Sequence, residues 1–244
     1  MQKNNTDQIQ YDKWWSDFVS ANIEDPGTAY RANLIIKKIN TLGAENIADV
    51  GCGSGELIKK IIAATKNKKL TGYDVSQKII EINREKYPSV NFSCLNLNED
   101  TSSKNKFDMV ICCEVIEHLR NWEKSIKTLS ELTSDGGHVL ITTQSGKMYR
   151  HHKTIDHLKH FKKEEIEEEL KKNGITIVKS FYAGWPFMNL KNILVHIFYK
   201  NIEKNLLRSR KQSILNKFAF KTFGFLYNIS SESYGPQIFI LGKK

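Results

Sequence analysis

Three glycines at alternate positions, Gly51, Gly53 and Gly55, follow the apolar run Ile47-Ala48-Asp49-Val50 and lead into a helix that opens with Glu56. Lacking Cβ atoms, glycines let a backbone turn tightly and let a ligand approach it closely. The following helix points unpaired N–H groups and its positive end toward that ligand. About twenty residues on, the apolar run Leu70-Thr71-Gly72-Tyr73 ends in Asp74. A carboxylate at that place can accept both hydroxyl hydrogens of a ribose. Turn and carboxylate together predict a nucleoside site.

The charge around the turn narrows the nucleoside. A dinucleotide fingerprint spaces its glycines G-x-G-x-x-G and faces a pyrophosphate. Here the spacing is G-x-G-x-G, with Glu56 at the helix start and Asp49 just before the turn. Both acids repel a pyrophosphate and suit a ligand that carries a sulfonium and an ammonium, so S-adenosylmethionine is favoured over a nicotinamide dinucleotide.

Four ordered segments carry a family resemblance: Ala48 to Gly55, Gly72 to Ser76, Phe107 to Leu119 and Asp135 to Thr143. In order and spacing the chain resembles the class I S-adenosylmethionine-dependent methyltransferases over about residues 45 to 180, plus a last strand near 237 to 242. Within them it is similar to the small-molecule branch that includes the ubiquinone-pathway O-methyltransferases. The resemblance implies an α/β, Rossmann-like, doubly wound sheet of seven strands, mostly parallel, with the last strand antiparallel. It implies that Gly51, Gly53 and the backbone near Cys52 pack on the methionine and ribose parts of the cofactor. Asp49 orients the turn or accepts from the ammonium, Asp74 takes the ribose hydroxyls, and Val75 lies on the adenine face. Asn96 stands where the family often has Asp for the adenine amino group, and the Cys113 carbonyl faces the ammonium.

On the acceptor side, Glu114 and His118 follow the strand that ends at Cys113, and His118 is a candidate base or a helix-packing residue. The stretch His151 to Phe161 follows the fourth segment, where this fold places the acceptor. A neutral imidazole there can take a hydroxyl proton near neutrality. His157 and His160 are expected to share one helical face. His157 is expected as base or substrate contact or as a structural histidine bonded to backbone, with His160 a further catalytic candidate; with Asp156 the two could also ligate a metal, although no metal is assigned. His151 and His152 are expected in solvent. The strand end Cys113-Glu114-Val115-Ile116 lacks the prolines and aromatic of the nucleic-acid amino-methyltransferases, and Cys112-Cys113 lacks the Pro-Cys of a cytosine-C5 enzyme.

The elements that hold these residues follow from periodicity. Strands are expected at 46–50, 69–74, 90–95, 107–113, 137–143, 175–182 and 237–241, with helices near 55–65, 76–86, 121–132 and 162–172. Alternating strands and helices imply a parallel sheet covered on both faces. Residues 1–42 read as N-terminal helical cover, with apolar stripes at Trp14, Trp15 and Phe18 and at Leu34, Ile35 and Ile39, broken by Pro26-Gly27. The methyltransferase core is expected at 43–183 plus 233–244. Residues 184–232 read as a helical insertion with apolar residues from Ile193 to Leu206 and a second helix over 212–227.

Of the net charge of +10, most comes from Ala183 to Lys244, which has ten basic and two acidic residues. The body is therefore near neutral, which argues against nucleic acid as partner. It leaves the basic insertion as a packed subdomain with a solvated face, a substrate lid, or a peripheral membrane or nucleic-acid contact. With 40% hydrophobic residues the 244-residue chain can bury one α/β core. Its four cysteines lack metal-site spacing, and the N-terminus carries no secretory apolar run, so a reduced, cytoplasmic protein is expected. The expected reaction is O-methylation of a sugar, quinone precursor or other secondary metabolite. The rivals are methylation of RNA or protein, or a non-catalytic cofactor-binding module.

Overall fold

The computed structural model describes residues 11–12, 26–99, 105–197, 226–227, 229 and 231–244. Within them β1 (Asn46–Val50), β2 (Lys69–Asp74), β3 (Asn91–Cys94), β4 (Phe107–Cys113), β5 (Thr133–Gln144), β6 (Thr176–Ala183) and β7 (Gln237–Lys243) form one sheet in the order β3-β2-β1-β4-β5-β7-β6. The first five strands run parallel, and β7 lies antiparallel between β5 and β6. The helices are α1 (Pro26–Leu42), α2 (Glu56–Ala64), α3 (Gln77–Lys86), α4 (Trp122–Leu132), α5 (Arg150–Lys153), α6 (Lys163–Lys172) and α7 (Phe187–Ile197).

Helices on both faces explain why the central strands read as continuous apolar runs. In β4, Met109 and Ile111 join Ile35 and Ile39 of α1, Ile58 and Ile61 of α2 and Ile80 of α3 in one core. The alternate residues Val110 and Cys112 join Ile126 and Leu129 of α4 and Ile166 and Leu170 of α6 in the other. Two-residue periodicity sends successive side chains to opposite layers. Local signals set the helix ends. Ser76 caps α3 by accepting from the Ile79 N–H, and α6 stops at Gly174, whose φ is +79°. Pro26 and Gly27, expected as a break, form the first described turn of α1.

One strand departs from the expected boundary. β5 begins at Thr133 rather than 137, because Asp135-Gly136-Gly137 bulges within the strand instead of preceding it. Gly136 takes φ +78°, Thr133 pairs with Phe107, and the register shifts between Phe107 and Met109. The Ser134 hydroxyl donates to the Phe107 carbonyl at 2.5 Å and holds the bulge against β4. The stripe Trp14, Trp15 and Phe18, the residues Ile202 and Leu206, and most of the helix expected at 212–227 lie outside the described residues. No described helix is long and apolar enough to cross a membrane.

The strand order reverses between β1 and β4, and in open α/β sheets ligands bind beyond the carboxyl ends of the strands at such a switch point. The sheet therefore aims the glycine turn after β1, Asp74 at the end of β2 and Glu114 after β4 at one volume. Ile111, fully buried at the centre of β4, sets the strand against α1 and α2. Ile111→Ala is expected to lower the free energy of unfolding by about 2–5 kcal/mol in urea denaturation, and a loss below about 1 kcal/mol would show that the layers do not pack through this strand.

Candidate functional site

The turn after β1 is built by close approach. Gly51 and Gly53 have φ of +80° and +49°, a region that side chains with a Cβ rarely adopt. A Cβ on Gly51 would come within 2.3 Å of Val115 Cγ2, so residue 51 has no room for any side chain. The Gly51 and Cys52 N–H groups donate to the Tyr73 carbonyl at 2.7 and 2.8 Å. Asp74 then ties the turn to β2: one carboxylate oxygen accepts the Gly53 N–H at 2.9 Å and the other the Ser76 N–H at 3.0 Å. Asn83 of α3, fully buried, donates its amide to the Gly53 carbonyl at 2.7 Å. Asn83 was not foreseen; only the fold brings α3 behind the turn.

A cavity of about 470 Å³ opens from this turn. Among the residues expected to hold the cofactor, Gly51, Gly53, Asp74, Val75 and Asn96 line it, while Asp49, Cys52 and Cys113 lie behind its wall. Asp49 is 4% exposed and one of its carboxylate oxygens has no hydrogen-bond partner. Burial, with Asp74 nearby as the second cause, pushes its pKa up to about 7. Burial also raises the Asp74 pKa, against the lowering effect of its backbone hydrogen bonds. Two buried carboxylates beside a glycine cradle, one with an unused acceptor, fit a ligand carrying positive charge. They do not fit a pyrophosphate. The Asn96 amide donates to Glu99, and its carbonyl oxygen accepts the Asn98 N–H at 3.0 Å, which leaves one lone pair of that oxygen toward the cavity. The Cys113 sulfur lies 3.1 Å from the Thr142 hydroxyl oxygen, and burial pushes its thiol pKa up to about 12.

The cavity wall that follows β4, next to the glycine turn, is polar. Glu114, at φ +58°, accepts from the Thr142 hydroxyl and from the Gln144 and Gln237 amides, and pairs with Arg31 of α1 at 3.7 Å. This network joins α1, β5 and β7 across more than a hundred residues of sequence and could not be read from local pattern. Glu117, in a short 3-10 turn over Ile116–His118, is fully buried. One of its oxygens accepts the Thr143 hydroxyl at 2.8 Å; the other has no partner. Burial, then Glu114, raises its pKa well above the usual carboxylate range.

The histidines converge here in an arrangement different from the one expected. His157 and His160 do not share a helical face. α5 ends at Lys153, and Asp156 takes φ +60°, which carries the chain out of helical geometry. The two rings nevertheless meet, Nδ1 of His157 lying 3.1 Å from Nε2 of His160. His151 and His152, expected in solvent, line the cavity; His152 is 6% exposed, and its Nδ1 accepts the Tyr149 N–H at 3.1 Å.

Hydrogen-bond partners assign the tautomers. His160 Nδ1 faces the Gly146 carbonyl at 3.3 Å, an acceptor only, so it carries the proton and Nε2 accepts from His157 Nδ1–H. His118 Nδ1 likewise donates to the Asp156 carbonyl at 3.2 Å. In the neutral rings, Nε2 of His118 and of His157 is thereby left without a proton. Burial lowers the pKa of both rings, that of His157 to about 3. Glu117, His118 and His157 each bring a ligating atom within 4.8 Å of the others. That set could hold a cation; the set considered from sequence, Asp156, His157 and His160, is not the one that converges.

Comparison with known proteins agrees with this geometry. A family model described as a methyltransferase domain matches residues 28–180, more than half of the chain. The ubiquinone biosynthesis O-methyltransferase of Coxiella burnetii is 28% identical over 107 residues, which cover 42% of this chain and 45% of that protein. The malonyl-[acyl-carrier protein] O-methyltransferase of Acetivibrio thermocellus is 31% identical over 152 residues, 61% of this chain and 49% of that protein. The chain thus spans about half the length of the curated relatives it matches. An S-adenosylmethionine-dependent methyltransferase structure from Clostridium acetobutylicum superposes with a TM-score of 0.57 at 13% identity, covering 96% of this chain and 98% of that one, a likeness of fold. The chain belongs to the methyltransferase-domain family, and its seven-stranded sheet has the fold of an S-adenosylmethionine-dependent methyltransferase structure.

Proposed function

We propose that the enzyme methylates a hydroxyl oxygen of a small-molecule acceptor. The observation that carries this reading is the pair of unprotonated imidazole nitrogens, on His118 and His157, in the cavity wall. S-adenosylmethionine, when bound, supplies a methyl group on a sulfonium that is already a good leaving group. The protein then has two tasks, alignment and management of the acceptor proton. The turn at Gly51–Gly53 and Asp74 bind the nucleoside, with Asp49 supplying negative charge behind them. The acceptor O–H gives its proton to Nε2 of His118 or His157 as the oxygen–carbon bond forms. His160, held by the Gly146 carbonyl, keeps the His157 ring in the tautomer this requires. A cavity of about 470 Å³ is of small-molecule size, which supports such an acceptor over RNA or protein.

A second reading rests on the Glu117 oxygen that has no partner. A divalent cation held by Glu117, His118 and His157 would satisfy that oxygen and lower the pKa of an acceptor hydroxyl. The lowered proton affinity keeps both rings neutral, with lone pairs that a cation can also use.

Transfer of the labelled methyl group of S-adenosylmethionine to a panel of hydroxylated small molecules, bulk tRNA and a protein extract tests the main reading. Label in the small molecules is expected; label confined to RNA or protein contradicts it. Chelation separates the two readings of the histidines. If they act as bases, transfer persists in EDTA and is lost in His157→Ala. If they are cation ligands, EDTA abolishes transfer and added Mg²⁺ or Zn²⁺ restores it. Asp74→Ala is expected to weaken cofactor binding by about 1–3 kcal/mol in titration calorimetry, and an unchanged affinity removes Asp74 from the nucleoside site.

A further inference from the structure

Beside the acceptor end of the cavity lies a second cleft of about 510 Å³, and Asn192 of α7 lines both. The cleft sits between the turn after β5, the start of α7 and the segment leading into β7. Two large aromatic rings flank it: Trp185 is 48% exposed and Tyr234 70% exposed. Two carboxamides also line it. Asn192 is 7% exposed and its side chain makes no hydrogen bond among the described residues; the Asn189 side-chain oxygen is buried without a partner. The lining contains no carboxylate and one ammonium, that of Lys147, which lies 5.6 Å from the centre of the Tyr149 ring.

These features select a ligand chemistry. Each carboxamide offers both a donor and an acceptor, so its partner must supply both, as a hydroxyl does. An isoprenoid or alkyl chain would leave both amides unsatisfied. A phosphate dianion would meet a single cation already engaged with a ring. A pyranose offers both chemistries at once: apolar C–H faces that suit Trp185 and Tyr234, and hydroxyls that suit the carboxamides of Asn189 and Asn192. Aromatic side chains present apolar faces of this kind with polar groups at their edges.

We propose that this cleft is a sugar-binding subsite, so that the acceptor is a sugar or glycoside spanning both chambers. The inference rests on the small-molecule reading above and names its substrate class. Asn192, at the junction, then reads a hydroxyl next to the one that is methylated.

Saturation-transfer difference NMR tests it without requiring turnover. The probes are the methyl pyranosides of glucose, galactose, mannose and rhamnose, added to full-length protein with S-adenosylhomocysteine. At least one is expected to receive saturation at its ring C–H protons. The apparent affinity should fall about tenfold in Trp185→Ala, the loss expected of one ring contact, and fall also in Asn189→Ala. No transfer to any of the four, or transfer undiminished in both variants, overturns the proposal. Calorimetry with S-adenosylhomocysteine on the same samples reads the cofactor site separately. Failed cofactor binding counts against the methyltransferase reading, whereas retained cofactor binding without a sugar signal counts against the subsite alone.

Discussion

Two carboxylates, Asp49 and Asp74, are buried beside a backbone turn that has no side-chain bulk of its own. Burying negative charge is costly unless something compensates it. The chain compensates Asp74 with the N–H groups of Gly53 and Ser76. Asp49 keeps an oxygen with no partner. The imbalance makes physical sense in an enzyme whose cofactor brings a sulfonium and an ammonium. The same imbalance explains the departure from dinucleotide-binding spacing: a pyrophosphate at this turn would add negative charge where two acids already repel each other.

The sheet turns that local chemistry into a reaction chamber. Because strand order reverses between β1 and β4, the glycine turn and Glu114 leave the ends of adjacent strands and open onto one cavity. The antiparallel β7 brings Gln237 beside Gln144 and Glu114, and α1 adds Arg31. This network fixes the wall from which Glu117 and His118 project. The segment after β5 then folds back, with the Glu117 carbonyl accepting the Leu158 N–H at 2.8 Å, and delivers His157 to the same place. Two histidines nearly forty residues apart in sequence thus share one surface of the chamber.

Much of this was legible in the chain because it depends on neighbours in sequence. The strand run at 107–113, the glycine spacing at 51–55 and the carboxylate at 74 are local signals. Each needs only period, turn chemistry or strand-end position. The histidine-rich stretch was placed correctly against the cavity, but its internal geometry was not. A helical face for His157 and His160 assumed that the helix continued, whereas Asp156 in the left-handed region ends it. Asn83, Glu117 and the Arg31–Glu114–Gln237 set were missed because their partners lie in other elements. Glu117 in particular stands one residue before a singled-out histidine, and only its burial and empty oxygen mark it. The cleft at Trp185 and Asn189 could not be foreseen either, since its walls come from three separate segments.

The central claim is that a cationic nucleoside completes the charge balance at Asp49 and Asp74. In the free protein the Asp49 pKa is raised to about 7, so near neutrality part of the population carries a proton there. A positive ligand favours the ionised form and lowers that pKa, so binding must release protons. Titration calorimetry with S-adenosylmethionine at neutral pH, repeated in buffers of different ionisation enthalpy, measures this directly. The account predicts net proton release that fades at alkaline pH and disappears in Asp49→Asn. Heats independent of buffer, or net proton uptake, would contradict it.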